Sequence, residues 1–303
     1  MKNILLCSFL LMSVFSSAQM LNDSPFNANV SNPKYKLGKG PSILIDAAHH
    51  NFIIEMGLIK PLVDVLHADG YTTKIDSQVF TKNYLSKYKT LVIMPAMPFK
   101  FGTKNIINDE ITFTNEELTV LQDWVNQGGS LLMLSEHAPI DKSMTPLFNK
   151  FGITTTTGII YDSAYCDTSI KLSTNQTYIQ YTSENGLLNS NHPITQGQNS
   201  TEAIHRIVVY GGSGMIGQGY TNIFRTSPYA TIKKWSGNLP SGTVSSQCLA
   251  GEFGKGRLVA LGDCNGFTAM YINSGGKKYS AGMQVNNYDW KQFVLNTFHW
   301  LSN

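Results

Sequence analysis

An α/β fold with a mostly parallel sheet is what this sequence predicts, and three observations predict it. Short apolar runs and amphipathic stretches alternate along the first half of the 303-residue chain at the spacing of βαβ units. That alternation assigns parallel strands joined by right-handed crossovers. One stretch, Thr114 to Pro139, shows the unit in full: a capped helix, a glycine stop, an apolar run and a polar turn. The chain then closes on Trp290, Phe293, Val294, Phe298 and Leu301, an apolar stripe that predicts a helix packed back on the sheet.

Taken in order, Lys2, the apolar run Ile4 to Phe15 and the small residues Ser16-Ser17-Ala18 have the three parts of a secretory signal peptide. The run is too short to span a bilayer, so after cleavage the reading is a secreted or periplasmic chain with no membrane insertion. Cleavage after Ala18 would remove Lys2 from a formal charge of +3, leaving no electrostatic footprint for nucleic acid. Residues 19–41 read as a loose leader, rich in Asn, Ser, Pro and Gly. Residues 42–303 read as one domain, with 153–256 a β-rich insertion and hairpin.

Within that domain, Ile43–Asp46 is a strand ending in an acid, followed by the polar turn Ala47-Ala48-His49-His50-Asn51. Leu58 to His67 is a helix with Pro61 near its start and Asp69-Gly70 at its end. Tyr71–Ile75 and Leu91–Met94 are strands, the latter ended by Pro95 and Pro98. Thr114 with Glu117 is a capping box, and Leu118, Leu121 and Val125 repeat at helical spacing beside Trp124. Gly128-Gly129 stops that helix. Leu131–Leu134 is then an uninterrupted apolar run, as expected of a strand covered on both faces. Beyond Phe151 the composition turns to Thr, Ser, Gly, Asn and Tyr, until Cys248–Phe253 and Arg257–Leu261 form a hairpin around Gly254-Lys255-Gly256.

The order ILIDAAHHNF, LVIMPAMP, FTNEELTVLQDWVNQGGSLLMLSEHAP, FGI, NHPIT, GKGRLVALGDCNGFTA and FVLNTFHWL resembles members of the class I glutamine amidotransferase-like superfamily, from about Ser42 to Ser302. The resemblance implies a flavodoxin-like three-layer sandwich and no particular activity. A glutaminase of this fold places a nucleophilic Cys between glycines after the strand equivalent to Leu131–Leu134. Here that turn reads Ser135-Glu136-His137-Ala138-Pro139, and the late His-Pro-Glu is replaced by Asp263-Cys264-Asn265. The chain therefore reads as something other than a glutamine amidotransferase.

Ligands bind at the carboxyl ends of strands in open α/β sheets. Those ends carry Asp46 with His49 and His50, Glu136 with His137, and Asp263. Such acids and imidazoles suit general acid–base work. They also suit a divalent metal, with His50 and the same acids as the candidate ligands, although no spacing matches a metal motif. The plain alternative is that the acids cap helices and the histidines satisfy the acids. Ser135 lacks the strained elbow of a nucleophilic serine. Asp263 beside Cys264 would raise its thiol pKa, so Cys264, like Cys166 and Cys248, reads as a packing thiol, with one disulfide the alternative. Gly211-Gly212-Ser213-Gly214 lacks the Lys-Ser/Thr pair of a P-loop, and the chain carries no nucleotide motif. His192-Pro193 reads as a turn before a strand, and Lys255 and Arg257 as solvated charges. Tyr161, Tyr165, Tyr178 and Tyr181 offer rings for a glycan or simply pack in strands. Two functions follow: hydrolysis of a small extracellular carbohydrate or ester, with Glu136 as proton-transfer group, His137 or His49 its partner, and Asp46 and Asp263 orienting; or a non-catalytic ligand-binding or scaffold domain.

Overall fold

Side chains alternate across a strand, and the apolar runs fill two separate cores by that alternation. A computed structural model describes residues 19–23, 25–103, 111–170, 175–234, 237–239, 246–274 and 277–303. The signal segment, residues 1–18, lies outside them. Ile43, Ile45, Val92, Leu132, Leu134, Val259 and Leu261 face one core, shared with the helices Lys60–Ala68 and Trp290–Leu301. Leu44, Leu91, Ile93, Leu131, Met133, Leu258 and Ala260 face the other, shared with Asn115–Asn126 and Asp141–Lys150. Helices thus cover both faces of one sheet.

The main sheet has nine strands among the described residues. Five run parallel, in the order Thr72–Asp76, Ser42–Asp46, Thr90–Ile93, Ser130–Leu134, Gly256–Leu261. Ser246–Phe253, Gly214–Gly217 and Ile153–Thr156 continue it antiparallel, and Thr221–Arg225 also pairs with Ser246–Phe253. The sheet is mixed where the sequence reading has it mostly parallel, because strands from the β-rich region join its edge. The rest of that region forms two small sheets, Ile159–Tyr161 with Thr231–Lys234 and Gly237–Leu239, and Gln180–Thr182 with Arg206–Val208.

The capping box forms as expected, the Thr114 hydroxyl accepting from the Glu117 amide while the Glu117 carboxylate accepts from the Thr114 amide. Two readings are corrected. Pro193 opens the short helix Pro193–Gln196, with His192 as its cap, where a turn before a strand was expected; Pro suits a first helical turn because its missing N–H has no partner there. Arg257 is tied down, its guanidinium donating to the Trp300 carbonyl at 2.6 Å and lying 5.2 Å from the Trp300 ring centre. In the leader, Gln19–Asn22 pairs with Ala269–Ser274, and the Lys34 amide donates to Asp69 at 2.7 Å. No helix among the described residues is long and apolar enough to cross a membrane.

Candidate functional site

Strand ends bring the predicted side chains to one rim of the sheet, and there they divide into two groups. Ser130–Leu134 and Gly256–Leu261 are neighbours in register, Leu134 opposite Leu261. The turns after them therefore meet. Asn265 donates its side-chain amide at 2.7 Å to both Glu136 Oε1 and Asp263 Oδ1. Asp263 also accepts from the Asn265 amide at 2.8 Å and the Tyr210 amide at 2.7 Å. Glu136 accepts from the His137 amide at 2.7 Å and, weakly, from the Cys264 thiol at 3.8 Å.

Two glycines make this packing feasible. A Cβ on Gly262 would sit 1.9 Å from the Ser213 carbonyl, and one on Gly212 would sit 2.4 Å from the Gly262 carbonyl. Gly212 also holds a φ of 104°. The Gly211–Gly214 stretch is therefore a backbone that lies directly on the Asp263 turn, which explains its glycines without a phosphate.

Burial raises the Asp263 carboxyl to about 7, and the Glu136 charge adds to it against the pull of the amides from Tyr210 and Asn265. Asp141, whose carboxylate accepts from the Gly158 amide at 2.8 Å, is also lifted to about 7, by burial first and Glu136 after it. His137 is the member that faces solvent, its side chain 43 % exposed. Its Nδ1 lies 2.7 Å from the Ala138 carbonyl, which fixes the proton there, and its Nε2 lies 3.4 Å from Glu136 Oε2. Burial works against a charge on this ring, but Glu136, the Ala138 carbonyl, Asp141 and Asp263 outweigh it and raise its pKa.

Asp46 and His49 belong elsewhere. Both Asp46 oxygens lie 3.0–3.1 Å from His49 Nδ1, and His49 Nε2 lies 3.1 Å from Glu117 Oε1. Phe80 and Phe113 flank the ring. The imidazole is thus closed in by two carboxylates, and burial, which alone would lower its pKa, is overcome by Asp46 and then Glu117. His50 turns away to Glu55, 2.9 Å from Nδ1, at a φ of 42°. The carboxyl-end residues do not form one site, because the Thr90–Ile93 strand separates the Asp46 turn from the Glu136 turn.

A cleft of about 550 Å³ opens above the Glu136 group. Phe52, Met97, Phe99, Phe101 and Ile140 line it, with His137, Glu136 and Asn265 as its polar floor and Tyr178, Tyr210 and Ile272 at one side. Ser135 is fully buried with its hydroxyl 3.5 Å from the Glu136 carbonyl, out of reach of a substrate. Cys166, Cys248 and Cys264 are all free thiols, Cys248 and Cys264 fully buried and Cys166 partly exposed. Tyr181 is buried too, stacked on Phe224, so of the four tyrosines considered Tyr178 is the one that lines the cleft. For a metal, Glu136, Asp263 and Cys264 have ligand atoms within 4.8 Å of one another, but the Asn265 amide already occupies the space between the two acids and burial holds the thiol protonated. Sequence reasoning gave Glu117 only a capping role and passed over Asp141 and Tyr210. Asp141 sits at the start of a helix whose sequence carries an internal Pro146 and no side-chain cap, and so gave no helix signal.

No family model matches the sequence, and no curated protein does. Among solved structures the chain is similar in fold to the mmIFT52 N-terminal domain, at a TM-score of 0.58 and 15% identity, covering 86% of this chain and 97% of that one. A protein described as ThuA-like from Bacteroides uniformis matches at a TM-score of 0.43 and 12% identity, over 91% of this chain and 94% of that one. A β-galactosidase from Bacillus circulans sp. alkalophilus matches at 0.45 and 10%, over 87% of this chain and 31% of that one. At 15% identity the likeness to the mmIFT52 domain speaks for the fold alone.

Proposed function

We propose that this chain is an exported small-molecule-binding protein, built on a flavodoxin-like, class I amidotransferase-like scaffold, whose ligand occupies the cleft over His137. The observation that carries the reading is the cleft itself: an apolar wall of Phe, Met and Ile over a floor with one half-exposed imidazole. Concave, mostly apolar sites with a few fixed polar groups are how proteins hold small organic molecules. The buried acids argue for positioning roles, since Asp263 has both oxygens occupied and Glu136 holds the His137 backbone and Asn265. The lining favours an apolar compound over a carbohydrate, whose hydroxyls need many polar partners.

Histidine-detected NMR tests this. Apolar esters and carboxylates should shift the His137 ring signals, monosaccharides should not, and the exposed His67 should stay still. Responses to sugars alone, or to nothing, sink the reading.

A second reading, hydrolysis of an apolar ester, is favoured by the Glu136–His137 pair. In it His137 Nε2 takes a proton from water, the resulting hydroxide adds to the ester carbonyl, and the alcohol leaves with that proton. Because Glu136 raises the His137 pKa, turnover would rise with pH as the ring loses its proton. A panel of p-nitrophenyl esters decides: Glu136→Gln and His137→Gln should both lose turnover while staying folded. Equal rates in all three chains would leave binding as the function.

A further inference from the structure

The cleft has a second lobe of different chemistry. A cavity of about 420 Å³ shares Tyr178, Tyr210 and Ile272 with it and continues to Lys277, Lys278 and Tyr279. Lys277 and Lys278 belong to the strand Lys277–Gly282, paired with Ala269–Ser274, and both are exposed; Lys277 shares the face of Tyr279 and Ile272, while Lys278 is on the other face, its ammonium 3.2 Å from the Tyr271 ring centre. Among the described residues no carboxylate lines this lobe. Tyr178 and Tyr210 meet edge to face with ring centres 5.9 Å apart, which holds both rings at the junction. The buried Tyr210 hydroxyl makes no hydrogen bond of ordinary geometry, although the Gly282 amide lies near enough to act on it.

From this arrangement we infer that the ligand is an elongated organic anion. Its acidic group sits at Lys277, its chain crosses Tyr178 and Tyr210, and its apolar end fills the lobe of Phe52, Met97 and Phe99 beside His137. The inference rests on the cleft being the ligand site and adds the class of compound. Charge decides the direction: the His137 end already holds the Glu136 carboxylate, 3.4 Å from the ring, whereas among the described residues the far lobe has Lys277 and no acid.

The test uses octanoate and 1-octanol as probes on the full mature chain. Calorimetry gives affinity, and the His137 ring signals report arrival at the inner lobe. Octanoate should bind more tightly than octanol. The Lys277→Gln variant, altered at an exposed position that leaves the core intact, should lose several-fold of octanoate affinity. Its octanol affinity should not change. If both probes shift His137 equally and the lysine variant binds as before, the cleft reading stands and the anion inference falls. Should octanoate bind through Lys277 without reaching His137, the spanning ligand is wrong. If neither probe binds or shifts His137, both readings go.

Discussion

Asn265 holds the two acids together by one side-chain amide, and its removal is the most informative single change. Each carboxylate would lose one charge-assisted hydrogen bond, worth about 1.5–3 kcal/mol, while keeping its backbone donors. Asn265→Ala should therefore destabilise the chain, and more at pH 8 than at pH 5. At pH 5 Asp263, with its carboxyl raised to about 7, is mostly protonated and needs no compensation. Urea midpoints at the two pH values check this; an equal loss at both would remove the shared-amide account. The wild-type chain has a pH dependence of its own. Asp141 and Asp263 are raised from 3.8 to about 7, and His49 and His137 are raised from 6.5. A group raised in the folded state adds stability below its unfolded pKa and loses it as pH climbs through the folded value. Stability should thus fall from about pH 4 to about pH 7 through the aspartates, and further above 6.5 through the histidines. Glu117 opposes them at the acid end, because its charge is favoured by the Thr114 amide and His49 against burial, and its share is lost as pH falls below 4.5. Asp141→Asn keeps an acceptor for the Gly158 amide and should flatten the slope between pH 4 and pH 7. An unchanged slope would mean Asp141 titrates as a free acid.

Elements were legible in the sequence where local chemistry alone decided them. The helix Asn115–Asn126 and the strand Ser130–Leu134 followed from a capping box, a glycine stop and an unbroken apolar run, and each formed within a residue or two of its expected bounds. Leu132 is fully buried in the core shared with the two helices of its face, so Leu132→Ala should cost about 2–5 kcal/mol. Thr114→Ala removes only a cap, at about 1 kcal/mol. Chemical denaturation giving the reverse ranking would contradict that packing. What sequence did not disclose was pairing at a distance. Glu117 reaches His49 from 68 positions away, and nothing in a capping box announces a second partner. The Gly211–Gly214 stretch, rejected as a P-loop on its residues, gave no sign of its partner for the same reason, because its Gly212 answers to the Gly262 carbonyl and Asp263, far along the chain. Gly212→Ala, strained at a φ of 104° and clashing with backbone, should destabilise strongly and shift the Asn265 side-chain signals. By contrast Gly219→Ala, at a φ of 82° with nothing within 4 Å, should cost only the backbone strain of about 1–2 kcal/mol.

At the scale of the whole molecule, the cleft is assembled from nearly every part of the chain, which is why the sequence pointed to Glu136, His137 and Tyr178 but not to the wall of Phe52, Met97 and Phe99. Phe52, Met97 and His137 come from turns after three parallel strands, Tyr178 and Tyr210 from the β-rich region, and Met20 and Ile272 from the small sheet Gln19–Asn22 forms with Ala269–Ser274. The cleavage expected after Ala18 falls outside the described part of that strand. Removing residues 1–18 would leave Gln19 opposite Asn273 and Met20 opposite Ile272, with the strand register intact. Intact mass of protein recovered from the periplasm or medium should correspond to a chain beginning at Gln19. A chain begun instead at Asp23 should keep its helices by circular dichroism, since none of them packs through residues 19–22 alone, but should bind apolar probes weakly because one wall of the cleft is gone. Exported protein that retains Met1 to Ala18 would refute the cleavage, and a truncated chain that binds as tightly as the full one would show that Met20 frames the site without contributing to it.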